Sequence, residues 1–272
     1  MTIKLSMEVP NGLIEELPYL TDFDFALTHN CEEFPDYLDH YKSMVKAGRE
    51  VILDNSVNEL GEPCSLDRMD AVVKRLHPTY IIPPDHLNNM DATLRILDQA
   101  IGLWGRDRLI PVLQGENLED VVNCARVYKE LYNFKIVSIP YDITLAHRSK
   151  LPESDTNRAT LSELGKRRVD CMTMLKDKGL EFNRYHLLGF NTLSEFIHYT
   201  TEPYWVSKSM SIDTGAPITN ALHDRRFCLD NLVPKGVYFD YAESIATLGL
   251  WKIQRDWLWN ILMLRRSLGD HI

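Results

Sequence analysis

Short apolar, β-branched runs alternate along this chain with longer amphipathic stretches, a rhythm that predicts parallel strands joined by crossover helices. Strands are expected at Phe23 to Leu27, Glu50 to Leu53, Thr79 to Ile82, Arg108 to Leu113, Lys135 to Ile139, Tyr185 to Leu188 and Tyr204 to Ser207. Helical patterns such as Asp67 to Leu76, Asp91 to Leu103 and Leu118 to Leu131 lie between them. An eighth strand is assigned to Lys235 to Phe239, followed by a Trp-rich helix from Glu243 to about Leu268. Eight strand-helix units in 272 residues predict an α/β fold, a single (β/α)8 TIM-type barrel spanning 1–272. No GxGxxG or GxxxxGK[ST] follows any of these strands, which argues against a nucleotide-binding open sheet.

In a parallel barrel the site forms at the C-terminal rim, so the residues after each strand carry the functional signal. Here they read THNC (Thr28 to Cys31), DNS (Asp54 to Ser56), PPDH (Pro83 to His86), QGE (Gln114 to Glu116), PYD (Pro140 to Asp142), GFN (Gly189 to Asn191) and KSMSIDTG (Lys208 to Gly215). Carboxylates recur at Asp54, Asp85, Asp142 and Asp213. Such residues also cap helices and make turns. Asp142 opens a long polar loop and fits that structural reading. Asp54 lies too far ahead of the helix at Asp67 to cap it, and Asn89 is the better cap beside Asp85.

Composition narrows the partners. The 30 Lys and Arg against 39 Asp and Glu give a formal charge of -9, which excludes a surface that coats nucleic acid throughout. A local basic run, Arg148, Lys150, Arg158, Lys166, Arg167 and Arg168, follows the fifth strand and could meet phosphates or form an ordinary solvated helix face. Lys208 stands close before Asp213. Trp251, Trp257 and Trp259 could stack bases, although that spacing also suits core or a subunit contact. Five scattered cysteines without a CxxC pair read as reduced thiols of a cytoplasmic protein, and no ligand set for zinc has suitable spacing. No apolar run is long enough for a bilayer span.

The order of these pieces resembles the tRNA-guanine transglycosylase superfamily between about residues 50 and 215. LDNSVNELG (Leu53 to Gly61) is similar to a DSGGFQ-type segment, IIPPDH carries Asp85 where that family has a base-recognising aspartate, PVLQGE matches a VQGG-type strand end, YHLLGF a YLMGVG, and SMSIDTGAP a GIDMFDC segment with its nucleophile. The departures are Ser56 and Val57 in place of glycines, VSIPYD in place of a GGLAVGE-type strand, and the loss of the CxCxxC and histidine zinc insertion, with Cys228 standing alone. The compact chain is most similar to phage-type DNA-guanine transglycosylases.

The resemblance implies exchange of guanine in nucleic acid, DNA favoured over tRNA, for a free 7-deazaguanine base without a cofactor. Asp213 would attack the sugar carbon and Asp54 would act as general acid and base. Asn55, Ser56, Asp85, Gln114, Gly115 and Gly189 would contact the base, and Lys208, Arg148, Lys150, Arg167 and Arg168 the phosphates. A homodimer is left open by the sequence. Two other classes stay open: a barrel enzyme acting on a small phosphorylated metabolite, and a non-catalytic partner subunit.

Overall fold

The computed structural model describes residues 3–141, 143, 158–189, 193–223, 225–227 and 250–269. Within them the strands are β1 (Lys4–Leu5), β2 (Asp24–Leu27), β3 (Val51–Asp54), β4 (Tyr80–Ile81), β5 (Ile136–Pro140), β6 (Arg184–Leu188) and β7 (Ser209–Asp213). All pair in parallel, in the orders β2-β3-β4 and β1-β7-β6-β5. Residues 109–112 join the two sheets through parallel bridges from Leu109 to Ile81 and from Val112 to Ser138. On the other side, the Asp22 N–H donates to the Leu5 carbonyl at 2.7 Å and links β1 to the run entering β2. The backbone therefore runs through eight parallel segments in sequential order and returns to the first, the connectivity of a (β/α)8 barrel.

Three strand expectations change. The eighth segment is the N-terminal β1, seated between β7 and β2, whereas Lys235 to Phe239 lies outside the described residues. Tyr204 to Ser207 belongs to the helical turn Pro203–Val206, where Pro203 occupies the first turn without needing an N–H, and the strand begins later at Ser209. The run from Arg108 to Leu113 pairs only through isolated bridges, since Pro111 supplies no N–H to a ladder.

Alternation along the strands separates two layers. Val51, Leu53, Ile81, Val137 and Leu187 face outward to the main core, into which the helices bury Met69, Val72, Leu97 and Val121. Phe23, Phe25, Leu27, Ile52, Ile82, Ile110 and Val112 form a second cluster that fills the barrel interior. The same parity points Asp54, Ser138, His186, Ser211 and Asp213 inward; the register aligns Ser138 with His186 and His186 with Ser211.

Caps fix where the crossover helices start. Ser65, Asn89 and Asn117 accept hydrogen bonds from first-turn N–H groups of the helices Leu66–Leu76, Met90–Trp104 and Leu118–Arg126. Among the described residues no helix is long and apolar enough to cross a membrane.

Candidate active site

Asp54 and Asp213 are the last residues of β3 and β7, both inward-facing and both at the C-terminal rim. The chain after β3 turns at once. Ser56 adopts φ 60° and ψ 26°, a left-handed conformation that costs a residue with a Cβ roughly 1 kcal/mol or more. Two short bonds hold the turn: the Ser56 N–H donates to Asp54 Oδ2 at 2.6 Å and the Val57 N–H to Asn55 Oδ1 at 2.8 Å. From it rises the helix Val57–Leu60, which brings a further carboxyl, Glu59, to the rim.

These acids share one electrostatic environment. Loss of solvent pushes the Asp54 carboxyl well above the usual carboxylate range, and Glu59, Asp213 and Asp85 add repulsion that the Ser56 N–H only partly offsets. Glu59 is pushed up to about 7, first by desolvation and then by Asp213, against a hydrogen bond from its own backbone. Burial and repulsion therefore both favour the protonated form of Asp54 over what an exposed carboxyl would show.

Asp85 is buried in a closed network. Asn55 donates to its Oδ1 at 2.7 Å and Gln114 to its Oδ2 at 2.6 Å. Asn55 also donates to the Pro83 carbonyl at 2.9 Å, and Gln114 accepts from the Asn88 N–H at 2.8 Å. The ends of β3, β4 and the 109–112 segment are thus tied together by groups that the sequence assigns to base contacts. In this structure they satisfy each other.

His186 escaped the sequence reading. It is fully buried in the middle of β6, with Nδ1 2.9 Å from Ser211 Oγ and Nε2 3.1 Å from Asp213 Oδ1. The contact with Asp213 is close enough for an ion pair but is not aligned as a hydrogen bond. The ring of Phe25 stacks on the imidazole at 5.6 Å and 24°, and Phe23 meets it edge-on at 5.9 Å. The available signal was parity: in RYHLL, His186 shares a face with Leu188, and Leu188 packs on the interior cluster.

Several residues assigned to the base or the phosphates serve the fold instead. Arg168 is 1% exposed and spends all five donors on protein acceptors, so it does not meet phosphate. Its Nε and Nη2 bind Glu195 at 2.6 and 2.9 Å, Nη1 reaches the Ile139 and Leu188 carbonyls at 3.3 and 3.2 Å, and Nη2 the Gly189 carbonyl at 2.8 Å. Lys208 precedes β7 and so lies at the opposite end of the barrel from Asp213, paired with Glu181 at 3.0 Å.

Gly115 is a glycine because a Cβ there would meet Asp120 Cβ and the Val121 nitrogen at 2.7 Å. Gly189 has φ +58°, and its N–H donates to the Asp213 carbonyl at 3.1 Å. Arg167 lies partly exposed on the helix Arg158–Asp177, and Trp257 is buried, whereas Trp259 is half-exposed with the Arg226 guanidinium 5.4 Å from its ring centroid. Arg148, Lys150 and Asp142 lie outside the described residues. Among the described residues no group of three or more His, Cys, Asp and Glu is arranged to hold a metal ion.

No family model matches the chain, and no curated protein matches it. Solved structures similar in fold include AQ1208 from Aquifex aeolicus (12% identity, 78% of this chain and 51% of that one, TM-score 0.45). Diaminopimelate decarboxylase from Helicobacter pylori shows 9% identity over 78% of this chain and 56% of that one, at a TM-score of 0.42. Lysine/ornithine decarboxylase from Vibrio vulnificus shows 14% over 79% and 63%, at 0.37. The chain spans about half to two-thirds of these proteins' lengths. The resemblance to transglycosylases is corrected by this outcome: the neighbours named by activity are decarboxylases and an endo-β-1,4-xylanase, with no transglycosylase among them, and the motif fragments that suggested otherwise are short strand ends of a kind any polar barrel rim presents.

Proposed function

We propose that this chain is a barrel enzyme performing carboxylate acid-base chemistry at its C-terminal rim on a small polar molecule that is neutral or cationic at its reacting end. The observation behind it is the inward placement of Asp54 and Asp213 on the last residues of β3 and β7, one held toward its protonated form by burial, the other beside an imidazole. Two carboxyls in such different environments divide into acid and base. The rim segments 6–12, 28–34, 54–60, 82–89, 113–118 and 213–220 contain eight acids (Glu8, Glu32, Glu33, Asp54, Glu59, Asp85, Glu116 and Asp213) and no Lys or Arg. A phosphorylated substrate would have to find its cations elsewhere, as at Arg148 and Lys150.

The test is isothermal titration with guanine, guanidinium and ribose 5-phosphate as probes. Binding of either of the first two, weakened in Asp54→Asn and Asp213→Asn, supports the reading. Tight binding of ribose 5-phosphate alone would overturn it.

A second reading is favoured by the same pair of carboxyls, because cleaving a glycosidic bond needs one to protonate the leaving group and one to meet the sugar carbon. In that reading Asp213 takes the sugar, Asp54 protonates the departing base, and an incoming base reverses the steps. Labelled guanine incubated separately with duplex DNA, single-stranded DNA and tRNA tests it. Label entering one polymer identifies the substrate, and label entering none removes the reading.

A further inference from the structure

The barrel interior holds more polar atoms than its own bonds satisfy. Ser6 Oγ, Ser138 Oγ, His186 Nε2 and Asp213 Oδ1 are buried without an aligned hydrogen bond among the described residues. They lie directly after β1 and on β5, β6 and β7, four strands that are consecutive around the barrel. A buried polar group costs stability unless something offsets it, so four on neighbouring strands, with His186 and Asp213 in direct contact, point to use.

Within that layer the groups facing the imidazole decide its protonation pattern. Phe23 and Phe25 from the β2 run offer ring faces and edges, Ser138 on β5 and Ser211 on β7 offer hydroxyls, and Asp213 on β7 is the charged neighbour. Asp54 and Glu59 lie beyond Asp213 and act on it electrostatically. A hydroxyl rotates to donate or accept with equal ease, so Ser211 accommodates either tautomer. A carboxylate does not: a bare Nε2 lone pair 3.1 Å from Oδ1 would repel it, whereas Nε2–H attracts it.

We infer that His186 is the positioning residue of Asp213, carrying its proton on Nε2, accepting from Ser211 at Nδ1, and holding Oδ1 so that Oδ2 faces the substrate. The inference rests on the acid-base reading above and assigns to one side chain the task of orienting the carboxyl of Asp213 at the rim. A small rotation of Asp213 aligns the pair, and the Phe25 stack prevents the ring from following any other partner.

The test combines a spectroscopic and a kinetic arm on the full chain. With 15N-labelled histidine, and the resonance identified by its loss in His186→Gln, the neutral ring should show the Nε2–H tautomer. In Asp213→Ala, checked for folding by thermal unfolding, that single tautomer should be lost. An Nδ1–H ring in the unmodified protein, or an unchanged tautomer in Asp213→Ala, overturns the inference. Kinetically, His186→Gln should lower turnover by about a hundredfold with KM nearly unchanged, the loss expected from misplacing one reacting group. Turnover that vanishes in Asp213→Asn but is untouched in His186→Gln defeats only this inference. Turnover that survives Asp213→Asn defeats the acid-base reading itself.

Discussion

The two halves of the barrel interior are built on opposite principles. From β2 through the 109–112 segment the inward positions are Phe23, Phe25, Leu27, Ile52, Ile82, Ile110 and Val112, an apolar filling broken only at the rim by Asp54. From β5 through β7 and on to β1 the buried polar side chains Ser138, His186, Ser211, Asp213 and Ser6 enter the interior beside Ile136 and Leu188. An apolar wall gains from being packed and tolerates no missing atoms. A polar wall gains little stability from burial and confers direction instead, because each hydrogen bond fixes a side chain's orientation. The difference teaches that the two halves act differently on the rim carboxyls: enclosure raises the affinity of Asp54 for a proton, and the polar half sets an imidazole beside Asp213.

The comparison breaks most visibly at Arg168, which braces the ends of β5 and β6 on the polar side. Arg168→Met leaves Glu195 buried with, among the described residues, the Tyr199 hydroxyl at 2.8 Å as its remaining side-chain partner. It also strips three strand-end carbonyls of a donor. We expect a loss of about 3–5 kcal/mol in denaturant unfolding, the cost typical of a buried charge without its partner. Arg168→Met with Glu195→Leu should recover much of it. If the double substitution is no more stable than the single one, the pair is not the source of the cost.

On the apolar side the matching change is Phe25→Ala, which opens a cavity beside His186. It should cost about 3–4 kcal/mol. Because Phe25 also stacks on the imidazole, the histidine should become more mobile, visible as a broadened ring resonance. A loss of stability without any change at His186 would mean that the two halves are mechanically independent.

Asp54→Asn should slow turnover about a hundredfold, the usual share of a general acid. The direction with pH is fixed by its raised pKa: the acid form, and so the rate, should fall as pH rises past that of an ordinary carboxyl, and the variant should lose that limb. An unaltered pH profile would remove Asp54 from proton transfer.

These contrasts also account for what the sequence could and could not reveal. The apolar half was legible, because Asp24–Leu27 and Val51–Asp54 are β-branched or aromatic runs bounded by turn residues, and the rim acids Asp54, Asp85 and Asp213 follow directly from knowing where such strands end. The polar half was legible only in part: Lys135 to Ile139 and Tyr185 to Leu188 anticipate β5 and β6, whereas β1 was missed and β7 was set too early. IKLSMEV at the N-terminus alternates apolar and polar residues, the mark of a half-buried strand, yet its polar face points into the barrel and its ladder is two residues long. His186 was hidden for the same reason, since a polar residue in a strand ordinarily faces water. Arg168 shows the converse error: its neighbours in sequence are basic and exposed, and only tertiary contact with Glu195 reveals that it turns inward.

The smallest effect concerns Glu59, whose carboxyl rises from an ordinary value of 4.5 to about 7 on folding. A group that holds its proton more tightly when folded makes the native state bind more protons than the unfolded one, so stability declines as pH rises through that interval. The contribution is fully present below about pH 4.5 and lost above about pH 7. Partial solvent access of Glu59 screens the effect, leaving on the order of 1–2 kcal/mol. Glu59→Gln keeps the shape and removes the titration, so its unfolding midpoint should exceed the parent's at pH 8 and converge with it near pH 5. Since Asp213 is the charge that opposes Glu59, the advantage at pH 8 should shrink in an Asp213→Asn background. An advantage of the same size in both backgrounds would show that desolvation alone sets the Glu59 proton, and that the carboxyls of the two halves do not act on each other across the rim.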